Sequence, residues 1–220
     1  MLTHNSHTLR EFDTALNNLH QSLMTIAYKA QSALDLAING CLKNDENAIN
    51  QVIADDEDLD ELEKVIDEKS LHILAFFSPV ATDLKLVLTS IRLSGMYERI
   101  GDECVGIAKR SKKLRNYPPL REILAIEPIY RDLATLFRQI NKGVSYWDVK
   151  SLEILLPKLQ ELSHKSQFLT RHLAELPEQH PDALLAISEL IFIGRSLERI
   201  TENLQRIVEE AMLVSIITES

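Results

Sequence analysis

The sequence Tyr-Glu-Arg-Ile-Gly-Asp occupies residues 97–102, and the related sequence Leu-Glu-Arg-Ile-Thr-Glu occupies residues 197–202. Each lies in a long segment where apolar residues recur at intervals of three and four, which is the spacing of one face of an α-helix. Each segment also follows a proline, Pro79 in the first case and Pro181 in the second. Together these features predict two copies of one helical unit, each about 100 residues long.

The same periodicity extends outward from both motifs and predicts six long helices. Their approximate bounds are 9–42, 45–76, 79–114, 121–143, 148–176 and 181–212. The consecutive prolines Pro118 and Pro119 do not fit inside a helix, so residues 116–119 form a link between the third and fourth helices. We therefore predict an all-α fold of two similar three-helix bundles, a tandem repeat with one copy at 1–116 and the other at 120–220.

Two further prolines indicate where helices begin. Ser78 and Pro79 are expected to start the third helix, with serine as the N-cap and proline at the first helical position. Pro157 predicts a kink in the fifth helix or a later start of that helix.

Composition and charge limit the class of protein. The chain has 33 Asp plus Glu against 24 Lys plus Arg, a net charge of −9, so it lacks the basic excess of nucleic-acid-binding proteins. It has neither a signal-peptide pattern at residues 1–20 nor an apolar stretch long enough to span a membrane. Cys41 and Cys104 lie on apolar helix stripes without metal or disulfide spacing, as is typical of a reducing compartment. The sequence predicts a cytoplasmic protein that binds no nucleic acid.

Two of the predicted helices carry pairs of carboxylates spaced by four residues. Asp56 and Asp60 lie on the second helix, and Glu98 and Asp102 lie on the third. Residues four apart differ in direction by only ~40°, and the repulsion between their like charges is removed if a cation lies between them. Asp83 precedes Glu98 on a similar side, about 22 Å away along a straight helix. These carboxylates are candidate ligands for Mg²⁺, Ca²⁺, Mn²⁺ or iron.

Other interpretations of these acids stay open. The pairs also fit a solvated acidic face, with Glu98 paired to Arg99 or Lys109. The neighbouring acids Glu61, Glu63, Asp67 and Glu68 alternate with lysines and are interpreted as such a face. A metalloenzyme or a metal-storage bundle is a further alternative, although no histidine accompanies either pair as it does in di-iron bundles. The sequence also has no phosphate-binding loop or nucleophile-elbow motif, so it predicts no enzyme.

The motifs resemble those of the PhoU family, the accessory and regulatory proteins of bacterial phosphate transport. The resemblance lies in Ser78-Pro79-Val80-Ala81-Thr82-Asp83-Leu84-Lys85, in Tyr97-Glu98-Arg99-Ile100-Gly101-Asp102 and in Ile107-Ala108. The upstream acids Asp55, Asp56 and Asp60 also resemble the acidic stretch of that family, and residues 197–202 resemble its second motif.

The resemblance implies a function as well as a fold. It implies a metal-binding protein that negatively regulates phosphate uptake and the phosphate-starvation response. Its implied partners are the ATPase subunit of the phosphate ABC transporter and a sensor histidine kinase, and it would reach the membrane only through them. It implies Glu98, Asp102, Asp83, Asp56 and Asp60 as ligands in the first copy, and Glu198 and Glu202 in the second. The implied metal ions are divalent or trivalent, with iron, Mn, Mg and Zn as candidates.

The second copy departs from this pattern. Thr201 and Glu202 replace the usual Gly and Asp, residues 159–166 have no counterpart of the Asp55–Asp60 stretch, and Ala183 holds the position of Asp83. We therefore expect a strong first metal site and a second that is weak or empty. The apolar residues Leu213, Val214, Ile216 and Ile217 near the C-terminus suggest self-association, and we expect a homodimer.

Overall fold

A computed structural model describes residues 3–179 and 181–214, and this part of the chain forms helices and turns without a strand. Six helices are long and two are short. Their bounds are α1 Thr3–Lys43, α2 Glu46–Ala54, α3 Asp56–Phe77, α4 Ala81–Leu114, α5 Ile126–Tyr146, α6 Val149–Glu153, α7 Leu156–Gln179 and α8 Leu184–Met212. Short 3₁₀ turns precede α5 and α8. The prediction of an all-α fold with six long helices is confirmed.

The second predicted helix is interrupted at Asp55, where we expected it to be continuous. Asp55 is the C-cap of α2 and also the residue before α3. The Gln51 side-chain amide donates to both carboxylate oxygens of Asp55, at 2.8 Å each, and fixes the break. Residues 56–58 then form the first turn of α3, where negative charges interact favourably with the helix dipole. The acidic residues 56–58 are thus explained in part by their position at the start of α3.

The third predicted helix begins later than expected. Ser78 has a left-handed backbone, with φ 46°, and it ends α3 as its C-cap. Pro79 follows in the link, and Val80 is the N-cap of α4 without a side-chain hydrogen bond. The roles predicted for Ser78 and Pro79 were therefore wrong, because a left-handed residue followed by proline marks the end of a helix.

The fifth predicted helix starts late, which is one of the two alternatives offered for Pro157. α6 ends at Glu153, and α7 begins at Leu156 with Pro157 in its first turn. Proline is tolerated at this place because its missing N–H would have no acceptor within the helix. Both halves of the chain therefore contain a short helix followed by a long one.

α4 lies at the centre of the fold. It packs along α1 and α8, and helices from both halves contribute to one continuous apolar core. α4 and α8 run antiparallel and are joined by ion pairs between Arg92 and Glu210, Glu103 and Arg199, and Arg110 and Glu189. The link at 116–119 separates α4 from α5, as expected. The division into repeats 1–116 and 120–220 stays a prediction, since the two halves share their core.

A buried polar network ties three helices together inside this core. The Tyr97 hydroxyl donates to Asn141 Oδ1 at 3.0 Å. Asn141 Nδ2 in turn donates to the Ala27 carbonyl at 3.2 Å and to Gln31 Oε1 at 3.0 Å. Tyr97 and Asn141 are both fully buried, so each of these bonds satisfies a group that water cannot reach. The network fixes α4 and α5 against α1.

The structure also bears on the two cysteines, on membrane-spanning helices and on the apolar residues near the C-terminus. Both cysteines are buried free thiols, and burial raises the pKa of each, which confirms their interpretation as core residues. Within residues 3–179 and 181–214, no helix is long and apolar enough to cross a membrane. Of the residues that suggested a homodimer, Val214 is buried, Leu213 is exposed, and Ile216 and Ile217 lie outside the described residues. The homodimer stays a prediction.

Replacing Asn141 with Ala should lower the free energy of unfolding by about 2–4 kcal/mol, because the change leaves the buried Tyr97 hydroxyl unpaired and opens a cavity. Urea denaturation followed by circular dichroism measures this change. The exposed Asn18→Ala on α1 is the control and should shift the value by less than about 0.5 kcal/mol. Equal stability of the two variants would contradict the role assigned to the network.

Candidate functional site

Five carboxylates from α3 and α4 form a continuous acidic band, here called the carboxylate stripe. Asp56, Asp60 and Glu63 come from α3, and Glu98 and Asp102 come from α4. The α3 residues are spaced by four and then three, and the α4 residues by four, so each set lies on one side of its helix.

The stripe exists because α3 lies directly on the backbone of α4. A Cβ atom added to Gly95 would lie 3.0 Å from Glu63 Oε1, and one added to Gly101 would lie 2.3 Å from Leu59 Cδ1. A larger side chain at either position would force the end of the Glu63 or Leu59 side chain to move. The glycines therefore bring the carboxylates of α3 and α4 onto a common surface.

Glu98 shows the strongest electrostatic effect of this arrangement. Burial, followed by the negative charges of Asp102, Glu63 and Asp60, raises its pKa from 4.5 to about 7. A hydrogen bond between the side chains of Glu98 and Asp102 also favours the protonated form. Near neutral pH, Glu98 therefore exchanges readily between its charged and neutral forms.

Cations near the stripe do not neutralise it. Burial and neighbouring carboxylates raise the pKa of Asp56, and they outweigh the opposing effect of Lys109. Burial and neighbouring carboxylates likewise raise the pKa of Glu63, and they outweigh Arg99. Neither Arg99 nor Lys109 forms an ion pair with Glu98 among the described residues, while the alternative of a solvated acidic face stays open.

The donor chemistry of the stripe fits a hard cation that keeps part of its water shell. Asp60 and Asp102 are exposed, and the other three carboxylates are half-buried. Among residues 3–179 and 181–214, no three Asp, Glu, His or Cys side chains are grouped so that they could hold one metal ion together, so a cation on the stripe would be held by one or two carboxylates and by water. Mg²⁺ is held in such open sites through one or two carboxylates, and its remaining ligands are waters.

Glu63 belongs to the stripe, although the sequence analysis assigned it to a solvated face. Its spacing was the available signal, since it lies seven residues from Asp56 and three from Asp60. Asp83 does not join the stripe. It lies in the first turn of α4, about 22 Å from Glu98 along the helix axis, and Glu98 does not experience its charge.

The second copy has a different arrangement. Glu198 is buried, with 9% of its surface exposed, and its Oε2 lies 3.5 Å from Arg195 Nη1. Glu202 is exposed, and its charge raises the pKa of Arg199, after a hydrogen bond from Arg199 to Glu103 has made the larger contribution. The residues of α7 one hundred positions after Asp56, Asp60 and Glu63 are Leu156, Gln160 and Ser163, all uncharged. Among the described residues, α7 therefore contributes no counterpart of Asp56, Asp60 and Glu63 to the surroundings of Glu198.

Comparison with known proteins agrees with this architecture. The family model described as the PhoU domain matches residues 23–111, which include the whole stripe. The "Phosphate-specific transport system accessory protein PhoU homolog" of Xylella fastidiosa is 26% identical over 96% of this chain and 88% of its own length. Residues 23–111 are thus similar to the PhoU domain, and nearly the whole chain is similar to PhoU proteins. Escherichia coli PhoU, with the corresponding name, is 23% identical over 93% of this chain and 85% of its own length.

A solved structure of the family has the same fold. The crystal structure of PhoU from Pseudomonas aeruginosa matches with a TM-score of 0.88 at 22% identity, over 92% of this chain and 98% of that chain. The broken second helix and the central α4 thus form part of a fold that covers nearly the whole length of both proteins.

Titration of Glu98 should make this protein less stable as the pH rises. The folded state holds a proton on Glu98 up to about pH 7, while the unfolded chain releases it near its ordinary pKa of 4.5. The folded state thus binds more protons between these values, and the stability contributed by protonated Glu98 is lost progressively from about pH 4.5 to about pH 7. Glu98→Gln should reduce this loss, as measured by thermal unfolding in chelator-treated buffer at several pH values.

Glu202→Gln is the matched control, because it removes an exposed glutamate and leaves the stripe intact. It should keep the pH dependence of the wild-type protein. If Glu98→Gln and the wild-type protein lost stability in parallel over the same pH range, the electrostatic coupling within the stripe would be wrong.

Proposed function

We propose that this chain is a cytoplasmic accessory regulator of phosphate-specific transport that acts as a metal-binding adaptor. The observation that carries the proposal is the similarity of nearly the whole chain to accessory proteins of phosphate transport. Proteins called phosphate-specific transport system accessory proteins align over more than nine-tenths of this chain. The adaptor would negatively regulate phosphate uptake and the phosphate-starvation response through the transporter's ATPase subunit and the associated sensor histidine kinase.

The carboxylate stripe supplies a physical mechanism for such regulation. Without a cation, five neighbouring carboxylates produce a negative potential that repels acidic surfaces and favours basic ones. A divalent cation bound there would add two positive charges to the same surface and change which partner it accepts. One or two of these carboxylates, with Glu98 and Asp102 of α4 as the leading pair, would hold the cation directly, and water molecules would complete its shell.

The exposure of the stripe favours an adaptor over the alternative of a metalloenzyme or storage bundle. Redox and storage sites in helical bundles are built in the core, commonly with histidine among the ligands. Here the two most exposed carboxylates of the stripe, Asp60 and Asp102, face solvent. A metal-free helical adaptor is the remaining alternative, and measured metal content distinguishes it from the proposal.

Metal binding should depend on the first copy. Glu98→Gln should weaken binding of Mn²⁺ or Mg²⁺ at least about tenfold, because it removes one charged ligand and the repulsion that a cation relieves. Isothermal titration calorimetry and elemental analysis of chelated, reloaded protein measure the affinity and the content. The matched Glu198→Gln in the second copy should keep the wild-type affinity. Metal-free wild-type protein would support the metal-free adaptor, and equal losses in both variants would contradict an unequal pair.

Partner binding should depend on the charge of the same surface. Reversing the charge with Asp60→Lys should change the affinity for the purified ATPase subunit of the organism's phosphate transporter by at least about tenfold, because the substitution alters the potential at the centre of the stripe. Surface plasmon resonance with and without Mg²⁺ measures this affinity. Glu175→Lys, an exposed reversal on α7, is the control and should bind as the wild-type protein does.

The proposal requires the wild-type protein to bind this subunit and to respond to the cation. Wild-type protein that binds neither the ATPase subunit nor the sensor kinase would contradict the adaptor function. Wild-type protein that binds its partner equally with and without Mg²⁺ would contradict control by the cation, while leaving the adaptor function intact.

A further inference from the structure

The two copies differ most sharply at the position of Gly95. In the first copy, Gly95 leaves room for Glu63 to lie over the backbone of α4. One hundred residues later the corresponding residue of α8 is Arg195, and Ser163 corresponds to Glu63. The second copy has therefore lost an anion on one helix and gained a cation on the other.

Arg195 contacts Glu198, a largely buried carboxylate of α8. Its Nη1 lies 3.5 Å from Glu198 Oε2, one helical turn away. Only 11% of the Glu198 side chain is exposed, while 60% of the Arg195 side chain is exposed. Burying a carboxylate without a partner is costly, so a partly solvated guanidinium beside it supplies the charge that it needs.

The other charged groups around Glu198 agree with this assignment. Arg199, the next arginine along α8, donates to Glu103 of α4 at 3.0 Å and experiences the charges of Glu202 and Glu198. The facing helix α7 offers the uncharged Gln160 and Ser163 where α3 offers Asp60 and Glu63. Arg195 and Arg199 thus both lie near Glu198, which therefore has positively charged neighbours within the chain.

We propose that Arg195 is a built-in counter-ion that replaces the metal ion in the second copy. The second copy then holds its buried carboxylate neutralised at all times and binds no metal, whereas the first copy depends on a cation from solution. Only the first half of the protein would respond to the metal ion, and the second half would remain in one electrostatic state. This inference rests on the proposed function, because it compares the second copy with a first copy that binds metal. The two proposals are tested separately.

The test uses the full-length chain with the first copy disabled by Glu98→Gln. In that background, Arg195→Ala should lower the melting temperature in chelator-treated buffer by about 2–6 °C, because Glu198 loses its partner. Adding Mn²⁺ should restore part of this loss, since the ion can occupy the position of the missing guanidinium. The background variant, which keeps Arg195, should respond to Mn²⁺ clearly less than the Arg195→Ala variant does, because Glu98→Gln weakens the first copy without removing its other carboxylates.

Two further variants separate a counter-ion from a merely structural arginine. Arg195→Lys keeps a positive charge and should leave the protein unresponsive to Mn²⁺. Arg195→Gly combined with Ser163→Glu rebuilds the first-copy arrangement of Gly95 and Glu63, and it should bind Mn²⁺ at least about tenfold more tightly than Arg195→Ala in calorimetry. Arg206→Ala, which removes an exposed arginine of the same helix, is the control and should not create a response.

Several results would overturn the assignment. One is Mn²⁺ binding by the Glu98→Gln background that disappears with Glu198→Gln, because the second copy would then bind metal despite Arg195. Another is an Arg195→Ala variant whose melting temperature does not respond to Mn²⁺. The wild-type chain measured in parallel reports on the first copy, so a failure of the proposed function is seen separately from a failure of this inference.

Discussion

The close approach of α3 to α4 is the constraint on which the rest of this structure depends. Gly95 and Gly101 remove the side chains that would separate the two helices, and Leu59 and Glu63 of α3 occupy the space. The apolar contact at Gly101 secures the packing, and the neighbouring contact at Gly95 places a carboxylate beside Glu98. The packing thus brings like charges together in a half-buried place, and burial, followed by their repulsion, raises the pKa of Glu98.

α4 carries the consequences of this packing to the other half of the protein. One side of the helix bears Glu98 and Asp102 of the stripe, and Glu103 beside them bonds to Arg199 of α8 at 3.0 Å. Arg199 in turn lies next to Glu198, the buried acid that pairs with Arg195. A continuous series of charges therefore connects the stripe with the centre of the second copy. Its first part has excess negative charge, and its second part is balanced by arginines.

The sequence predicted most of the fold because that fold follows from periodicity. Apolar residues at intervals of three and four specified the six long helices, and consecutive prolines specified the link between the halves. The sequence did not reveal the break at Asp55, because the apolar stripe continues through α2 and α3 and the bond from Gln51 to Asp55 is seen only in the structure. It also misplaced the start of α4, because Ser78 followed by Pro79 fits either end of a helix and only the left-handed backbone of Ser78 distinguishes them.

The candidate site was predicted in part for similar reasons. Spacing along one helix identified Glu98 with Asp102 and Asp56 with Asp60. It did not identify Glu63, whose membership depends on a contact with Gly95 of another helix. The sequence showed that the second copy lacks several acids of the first. It did not show that Arg195 places a positive charge beside Glu198. Arg195 becomes meaningful only when Glu198 is known to be buried beside it.

The central claim is that a cation binds where α3 meets α4 and not at the corresponding place in the second copy. Paramagnetic broadening of backbone amide signals by substoichiometric Mn²⁺, measured by NMR on the isotope-labelled wild-type protein, tests it most directly. The account predicts strong broadening at residues 56–63 and 98–102 and little at residues 195–202. Broadening of equal strength around Glu198, or none at either place, would contradict it.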